Sequence, residues 1–324
     1  VADDPVVVTG AAGFVGMHVA ERLLDRGERV VGLDEFNAYY DPALKEARAA
    51  RLRGRAGFEM VRGDIAEPGL VEAVLRRTGS RRVVHLAAQA GVRYSLENPF
   101  AYQRSNLAGH LAVLEACRNA GCEHLVYASS SSVYGDRALE ARGFRETDPT
   151  DAPVSLYAAT KKSCEVMSAA YASLYGLPQS GLRFFTVYGP WGRPDMAYFS
   201  FTRRILAGEP IELYGDGRSA RDYTFVDDIV TGVIGVLDRP PASGHEIYNI
   251  GGDRPEPLDR LVAVLEAAIG RPAVLKHLPK QPGDVSATWA DVTKIAKHTG
   301  YVPSTRLEEG LARFVGWLRR YIAR

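Results

Sequence analysis

An apolar strand running straight into a glycine-spaced turn constrains this chain more than any other feature: Val6-Val7-Val8-Thr9-Gly10-Ala11-Ala12-Gly13-Phe14-Val15-Gly16. The valine run favours a buried strand. Gly10 allows the tight turn that follows. Gly13 lets the backbone approach a diphosphate resting on the free N–H groups of a helix start, and Gly16 lets that helix pack closely on the sheet. The helix then spans Val15–Asp25 and ends at Gly27. A glycine pattern alone is weak, but here it lies in a strand–turn–helix context. Asp34 follows at the end of the second strand, Val30–Leu33. A carboxylate there accepts hydrogen bonds from a ribose diol and repels a 2′-phosphate, which favours NAD over NADP. Gly63-Asp64-Ile65, after the third strand, is placed to meet the adenine, although Asp64 alone would serve equally as a helix N-cap.

The rest of the first half repeats the same unit. Phe58–Val61, Val83–Leu86, Leu125–Ala128 and Leu182–Phe185 read as further short apolar strands, with helical stretches such as Leu70–Arg77 and Leu107–Asn119 between them. That alternation implies crossover connections and an α/β, doubly wound parallel sheet covered on both faces. The pattern changes after Tyr188, where Gly, Pro and aromatics crowd into Gly189–Met196; Glu246–Ile250 reads as one more buried strand. The 324 residues suit two domains. The expected division is 1–185 plus about 226–252 for the dinucleotide, and about 186–225 plus 253–324 for a smaller, mostly C-terminal α/β substrate domain beside the sheet's carboxyl edge. The basic stretch Lys45–Arg55 reads as a solvated helix. A net charge of +1 demands neither nucleic acid nor an anionic membrane. Cys117, Cys122 and Cys164 lack metal spacing and read as free thiols. With no apolar run near membrane-spanning length and no signal-peptide pattern, the expected location is cytoplasmic, although a chain that begins without Met leaves room for a processed leader. None of the seven histidines has ligand spacing, so no metal is expected.

Chemistry enters at Tyr157-Ala158-Ala159-Thr160-Lys161. Four residues apart on a helix, a phenol and an ammonium share one face. An ammonium beside a phenol stabilises its phenolate and so makes a general base for an alcohol being oxidised. The spacing by itself is common. The run Ser129-Ser130-Ser131-Ser132, at the carboxyl end of Leu125–Ala128, gives it context, because open α/β sheets bind ligands at that edge. A hydroxyl there can bond the reacting oxygen and relay its proton to Tyr157.

With these motifs in order, the chain resembles the extended short-chain dehydrogenase/reductase family. The resemblance rests on Thr9–Gly16, Leu86-Ala87-Ala88 and Tyr157-x-x-x-Lys161. It implies a Rossmann sheet, with Ser130, Tyr157 and Lys161 as the catalytic set. It further implies Phe14, Val15, Asp34, Asn37, Asp64, Ile65, Leu86, Ala87, Ala88 and Asn106 as NAD contacts beside Gly10, Gly13 and Gly16, with Tyr157 and Lys161 also touching the cofactor and Lys161 holding its nicotinamide ribose.

Longer blocks narrow the resemblance to the family's uronate-handling UDP-sugar 4-epimerases: Tyr39-Tyr40-Asp41-Pro42, Ala90-Gly91-Val92-Arg93-Tyr94-Ser95, Phe184–Ala197 and Gln281-Pro282-Gly283-Asp284. UDP-glucuronate and UDP-galacturonate are then the implied pair, interconverted through a 4-keto sugar by a tightly bound, recycled NAD. Arg221 matches a diphosphate-binding arginine and Asp284 a ribose-binding carboxylate. Arg93 falls in a substrate-contacting block, and Gln281 stands where UDP-galactose epimerases carry Arg. Ser131, Ser132, Thr186 and Arg193 are candidate donors to the sugar carboxylate; Arg193 could instead pair within its own loop, and Trp191 could line the pocket or anchor that loop. The resemblance also implies a homodimer through roughly Phe100–Asn119 and Val154–Tyr175. Rival readings are a UDP-glucuronate decarboxylase, another UDP-sugar epimerase, or a non-catalytic NAD sensor. Decarboxylases and dehydratases of the family place acids just before Val133-Tyr134-Gly135, where this chain has Ser131-Ser132; a sensor would have lost Tyr157 or Lys161.

Overall fold

The computed structural model describes residues 4–137, 142–215, 219–279 and 285–323. In chain order the strands are β1 Val6–Thr9, β2 Val30–Asp34, β3 Phe58–Arg62, β4 Arg82–His85, β5 His124–Ser130, β6 Gln179–Phe184, β7 Thr186–Tyr188, β8 Ile211–Tyr214, β9 Ala220–Phe225, β10 His245–Ile250, β11 Pro255–Pro257 and β12 Leu275–Leu278. Seven of them form one sheet in the order β10-β6-β5-β4-β1-β2-β3, with every pairing parallel. Strand order reverses beside β1, which opens a crevice at the carboxyl ends of β1 and β4.

Residues one apart on a strand face opposite sides. Val7, Val83 and Leu125 accordingly pack with the helices Leu70–Thr78 and Gly109–Ala120. Val6, Val8, Val84 and Val126 join the larger core, which takes in Phe14–Asp25, Val226–Leu237 and Leu307–Ile322. Both faces of β1 are covered, so its sequence is a continuous apolar run rather than an alternating one. β6 starts three residues earlier than the apolar pattern suggests. Its first two residues are polar and each makes a side-chain contact: Gln179 Nε2 donates to Ser168 O at 2.9 Å, and Ser180 Oγ lies 3.0 Å from His124 Nε2. The helix expected at Leu107–Asn119 begins as a π-helical turn, Gln103–Ala108, before Gly109–Ala120.

The chain leaves the sheet after β6 and returns at β10. The excursion and the C-terminal part build two small sheets, β11-β9-β7 and β12-β8. Asp222 cleats this layer to the main sheet. Its buried carboxylate accepts from the backbone N–H groups of Gly252 at 2.6 Å, Ala290 at 2.9 Å and Asp253 at 3.1 Å, and burial pushes its pKa up to about 6. No described helix is long and apolar enough to cross a membrane.

Candidate active site

A cavity of about 430 Å³ lies along the carboxyl edge of the main sheet, between it and the smaller sheets. Its floor is the glycine loop. Gly10 has φ +73°, and a Cβ there would stand 2.7 Å from Ala87 N. A Cβ at Gly13 would stand 2.8 Å from Gly10 O, and one at Gly16 would overlap it. Gly13 caps the helix Phe14–Asp25 with no side-chain bond, so the first N–H groups are left for an anionic ligand. Thr9 braces the facing wall: its Oγ1 lies 2.7 Å from His85 Nδ1 and accepts from Ala87 N at 3.2 Å, setting Leu86, Ala87 and Ala88 along the cavity. At the far end the Asp34 carboxylate accepts from Ala12 N at 3.0 Å and Phe36 N at 2.9 Å. These features fit a dinucleotide: a glycine-lined cradle for its diphosphate, and a fixed carboxylate for its ribose.

Phe14, Val15, Asn37, Asp64 and Ile65 also line the cavity. Asp64 does two things, since Oδ1 accepts from Ala66 N at 2.8 Å and Oδ2 from Arg104 Nε at 2.7 Å. Asn106 stands behind the wall instead: it accepts from Gln89 N at 2.8 Å and donates to Gln89 O and Thr160 Oγ1, each at 3.0 Å. It shapes the Gln89 loop rather than touching the space.

The expected catalytic set converges. Ser130 ends β5, and its Oγ accepts from Ser132 N at 3.2 Å and Ser132 Oγ at 2.8 Å. Tyr157 sits in the first turn of the helix Leu156–Tyr175, whose N-cap Ser155 accepts from Ala158 N at 3.1 Å. One turn on, Lys161 is buried and donates to Ala128 O at 2.9 Å, two residues before Ser130. Ser130, Tyr157 and Lys161 line the same cavity as Ser131, Ser132, Thr186, Arg193 and Arg221. A hydroxyl chain, a phenol, an ammonium and two guanidinium groups thus surround one space beside the dinucleotide cradle. That arrangement suits proton removal from an alcohol of an anionic substrate.

Arg193 pairs within its own loop, through Nε to Asp195 Oδ1 at 3.0 Å and Nη2 to Asp195 Oδ2 at 2.5 Å. Burial works against its charge, but Asp195 more than offsets this and raises the guanidinium's pKa. The Tyr39 hydroxyl donates to the same carboxylate at 3.1 Å. Trp191 is an anchor, packed on Trp317 and Tyr321 with ring centroids 5.2 and 5.7 Å apart. Arg93 follows Gly91 and Val92, which line the cavity, but is not itself among the lining residues; its guanidinium stands over the Tyr214 ring, 4.7 Å from the centroid. Gln281 and Asp284 lie outside the described residues.

Pattern reading missed two residues of the Lys45–Arg55 stretch. The helix is there, at Pro42–Arg53, but it is not solvated all round: Lys45 and Arg48 are buried. Lys45 lines the cavity and donates to Asn37 Oδ1 at 2.6 Å; burial lowers its pKa, with Asp34 and Glu35 opposing. The available signal was the spacing Leu44, Arg48, Leu52, which puts Arg48 on the apolar face.

Residues 6–251 match the model of the NAD dependent epimerase/dehydratase family. A protein of Rhizobium meliloti (strain 1021), named as a probable UDP-glucuronate 4-epimerase, is 44% identical over 96% of this chain and 96% of its own. UDP-glucuronate 4-epimerase 1 of Arabidopsis thaliana is 48% identical over 98% of this chain and 77% of its own. Among solved structures, UDP-glucuronic acid 4-epimerase from Bacillus cereus, in complex with UDP-glucuronic acid and NAD, superposes with a TM-score of 0.92 at 32% identity, covering 98% of this chain and 99% of that one. UDP-glucose 4-epimerase from Thermotoga maritima, with UDP-glucose, gives 0.89 at 29% identity over 98% and 99%.

Proposed function

The chain belongs to the NAD-dependent epimerase/dehydratase family, and from that premise we propose that it interconverts UDP-glucuronate and UDP-galacturonate by inverting C4. The observation that carries this reading is the convergence of Ser130, Tyr157 and Lys161 with Ser131, Ser132 and Thr186 in one cavity, in a chain whose full-length relatives bear that name. NAD, held along Gly10–Gly16, Asp34 and Leu86–Ala88, supplies the hydride acceptor and donor when bound. Tyr157 takes the proton from the C4 hydroxyl beside Ser130 and returns it on the way back. Lys161 keeps a positive charge next to that phenolate. Arg221 holds the diphosphate while the sugar turns over.

The 4-keto sugar is a β-keto acid, which loses carbon dioxide when the breaking bond aligns with the carbonyl π system. Hydroxyls of Ser131, Ser132 and Thr186 hold the carboxylate out of that alignment. No acid precedes Val133-Tyr134-Gly135, so decarboxylation lacks a proton donor there. The second reading, another UDP-sugar epimerase, draws on the likeness to the UDP-glucose enzyme. One experiment separates them. Incubated with UDP-glucuronate and UDP-glucose in turn and followed by NMR, the protein is expected to form UDP-galacturonate, with no net rise in reduced-nicotinamide absorbance. Preferential turnover of UDP-glucose favours the second reading. Accumulating reduced nicotinamide with carbon dioxide points to decarboxylation.

The reading assigns the cofactor to residues 1–185 with about 226–252, and the UDP sugar to the remainder. It sets the enzyme in the cytoplasm, supported by the free thiols of Cys117, Cys122 and Cys164, all buried. It also pairs two copies through roughly Phe100–Asn119 and Val154–Tyr175. Seven of the twelve large apolar residues exposed among the described residues fall there, among them Phe100 at 79%, Leu174 at 70% and Val166 at 57%. Apolar side chains left exposed on two helices that pack side by side are what such a pairing would bury. Sedimentation is expected to show a dimer that Phe100→Asp with Val166→Asp converts to monomer. A monomeric wild type at micromolar concentration rejects the pairing.

A further inference from the structure

Arg48 takes no part in the chemistry above, yet it is fully buried, and its acceptors among the described residues are all neutral. Nε and Nη2 both donate to Trp191 O, at 3.0 and 2.6 Å, and Nη2 also to Gly192 O at 2.9 Å. Nη1 donates to Ala12 O at 3.2 Å and to the Tyr40 hydroxyl at 2.6 Å. A buried cation ordinarily takes a carboxylate partner. This one is spent instead on holding two loops together.

The two loops are the two walls of the site. Ala12 lies in the glycine turn, and its own N–H donates to Asp34. Trp191 and Gly192 immediately precede Arg193, which lines the cavity. The backbone at Trp191 is in the left-handed region at φ +63°, unfavourable for a side chain of that size. The doubly bonded carbonyl and the packing of its indole on Trp317 hold it there. At Gly192 a Cβ would overlap the Tyr198 hydroxyl. The turn brings Arg193, paired with Asp195, to the cavity that Tyr157 also lines.

We propose that Arg48 is a positioning residue that registers the sugar-side loop, Trp191–Asp195, to the cofactor loop at Ala12, so that the C4 end of the substrate meets the dinucleotide at reacting distance. The inference rests on the epimerase reading above. One guanidinium bonded to both walls fixes their separation within the tolerance of a hydrogen bond, and a displacement of about 1 Å between reacting groups costs on the order of 100-fold in rate. UDP anchoring by Arg221 lies on a different strand, β9, and does not pass through this clamp.

The test uses the NAD-loaded enzyme and the variants Arg48→Lys and Arg48→Met. Lysine keeps the charge but presents its donors from one atom, and so cannot span both loops; it also serves if the methionine variant does not fold. Three quantities are measured: NAD extracted per chain after gel filtration, affinity and stoichiometry for UDP by calorimetry, and kcat for UDP-glucuronate per UDP-binding site. NAD content and UDP affinity are expected to stay at the wild-type level while kcat per site falls about 10- to 100-fold. A misfolded fraction lowers the number of UDP sites, not the rate per site. Variants with wild-type kcat per site overturn the inference, as do variants whose NAD content and UDP affinity fall in step with kcat. If the wild-type enzyme leaves UDP-glucuronate unchanged, the function itself is overturned, and this inference with it.

Discussion

Replacing Tyr157 with phenylalanine is expected to lower kcat for UDP-glucuronate by about 10²–10⁴-fold, the range for removing a positioned general base, while NAD remains bound. The substitution removes one oxygen and little else. Tyr157 is partly exposed to the cavity, and its ring meets Tyr102 edge-on at 6.1 Å, a contact that phenylalanine preserves. The dinucleotide cradle is built chiefly by other residues, at Gly10–Gly16, Asp34 and Leu86–Ala88. Loss is therefore expected in kcat, with little change in UDP affinity or in NAD recovered from the purified protein. Substantial turnover by Tyr157→Phe would reassign the base, with Ser130 next in line; loss of NAD along with activity would mean that the phenol supports the cofactor rather than the proton transfer.

What could be read from the sequence was local. The glycine turn, Asp34 and the Tyr157–Lys161 pair each depend on residues a few positions apart, or on their place at a strand end, and the repeated crossover unit fixes where strand ends go. Arg48 was misjudged because its partners, Trp191 and Gly192, are 143 and 144 residues away. Nothing in a run of basic residues says that one of them will meet carbonyls instead of water. Tyr39 and Asp195, 156 residues apart, are a second contact of that kind. Asn106 illustrates the opposite case. A pattern can mark a residue near a site without saying whether it faces the ligand or braces the loop that does, and here it braces Gln89.

The charged cluster behind the serine run was equally invisible, and it supports the second large effect. Glu165→Ala is expected to destabilise the fold by about 3–5 kcal/mol, the range for stranding one member of a buried ion pair. The Glu165 carboxylate accepts from Arg183 Nε at 2.8 Å and Nη2 at 2.9 Å, and from Ser129 Oγ at 2.6 Å. Both charged side chains are only 4% exposed. Removing the carboxylate leaves the guanidinium with the Tyr134 hydroxyl at 2.9 Å and Glu146 O at 3.2 Å, and no compensating charge from Glu165. Glu165 shares a helix with Tyr157, Ser129 adjoins Ser130, and Arg183 lies on the strand leading to Thr186, so the cluster ties three walls of the site from behind. Denaturant unfolding should place Glu165→Ala well below wild type, and the double replacement Glu165→Met with Arg183→Met between the two, because no charge is then left buried alone. The effect is also pH-dependent. Burial pushes the Glu165 pKa up, but the bonds and charge of Arg183 outweigh it and hold the carboxyl below its ordinary value. A depressed folded-state pKa contributes stability above the unfolded value of about 4.3, and that contribution is lost as pH falls through the folded value. The gap between wild type and Glu165→Gln should therefore be widest near neutrality and narrow below the ordinary glutamate range. A Glu165→Ala cost no larger than that of a surface substitution, about 0.5 kcal/mol, would show that water reaches Arg183 and that the cluster does not hold the site.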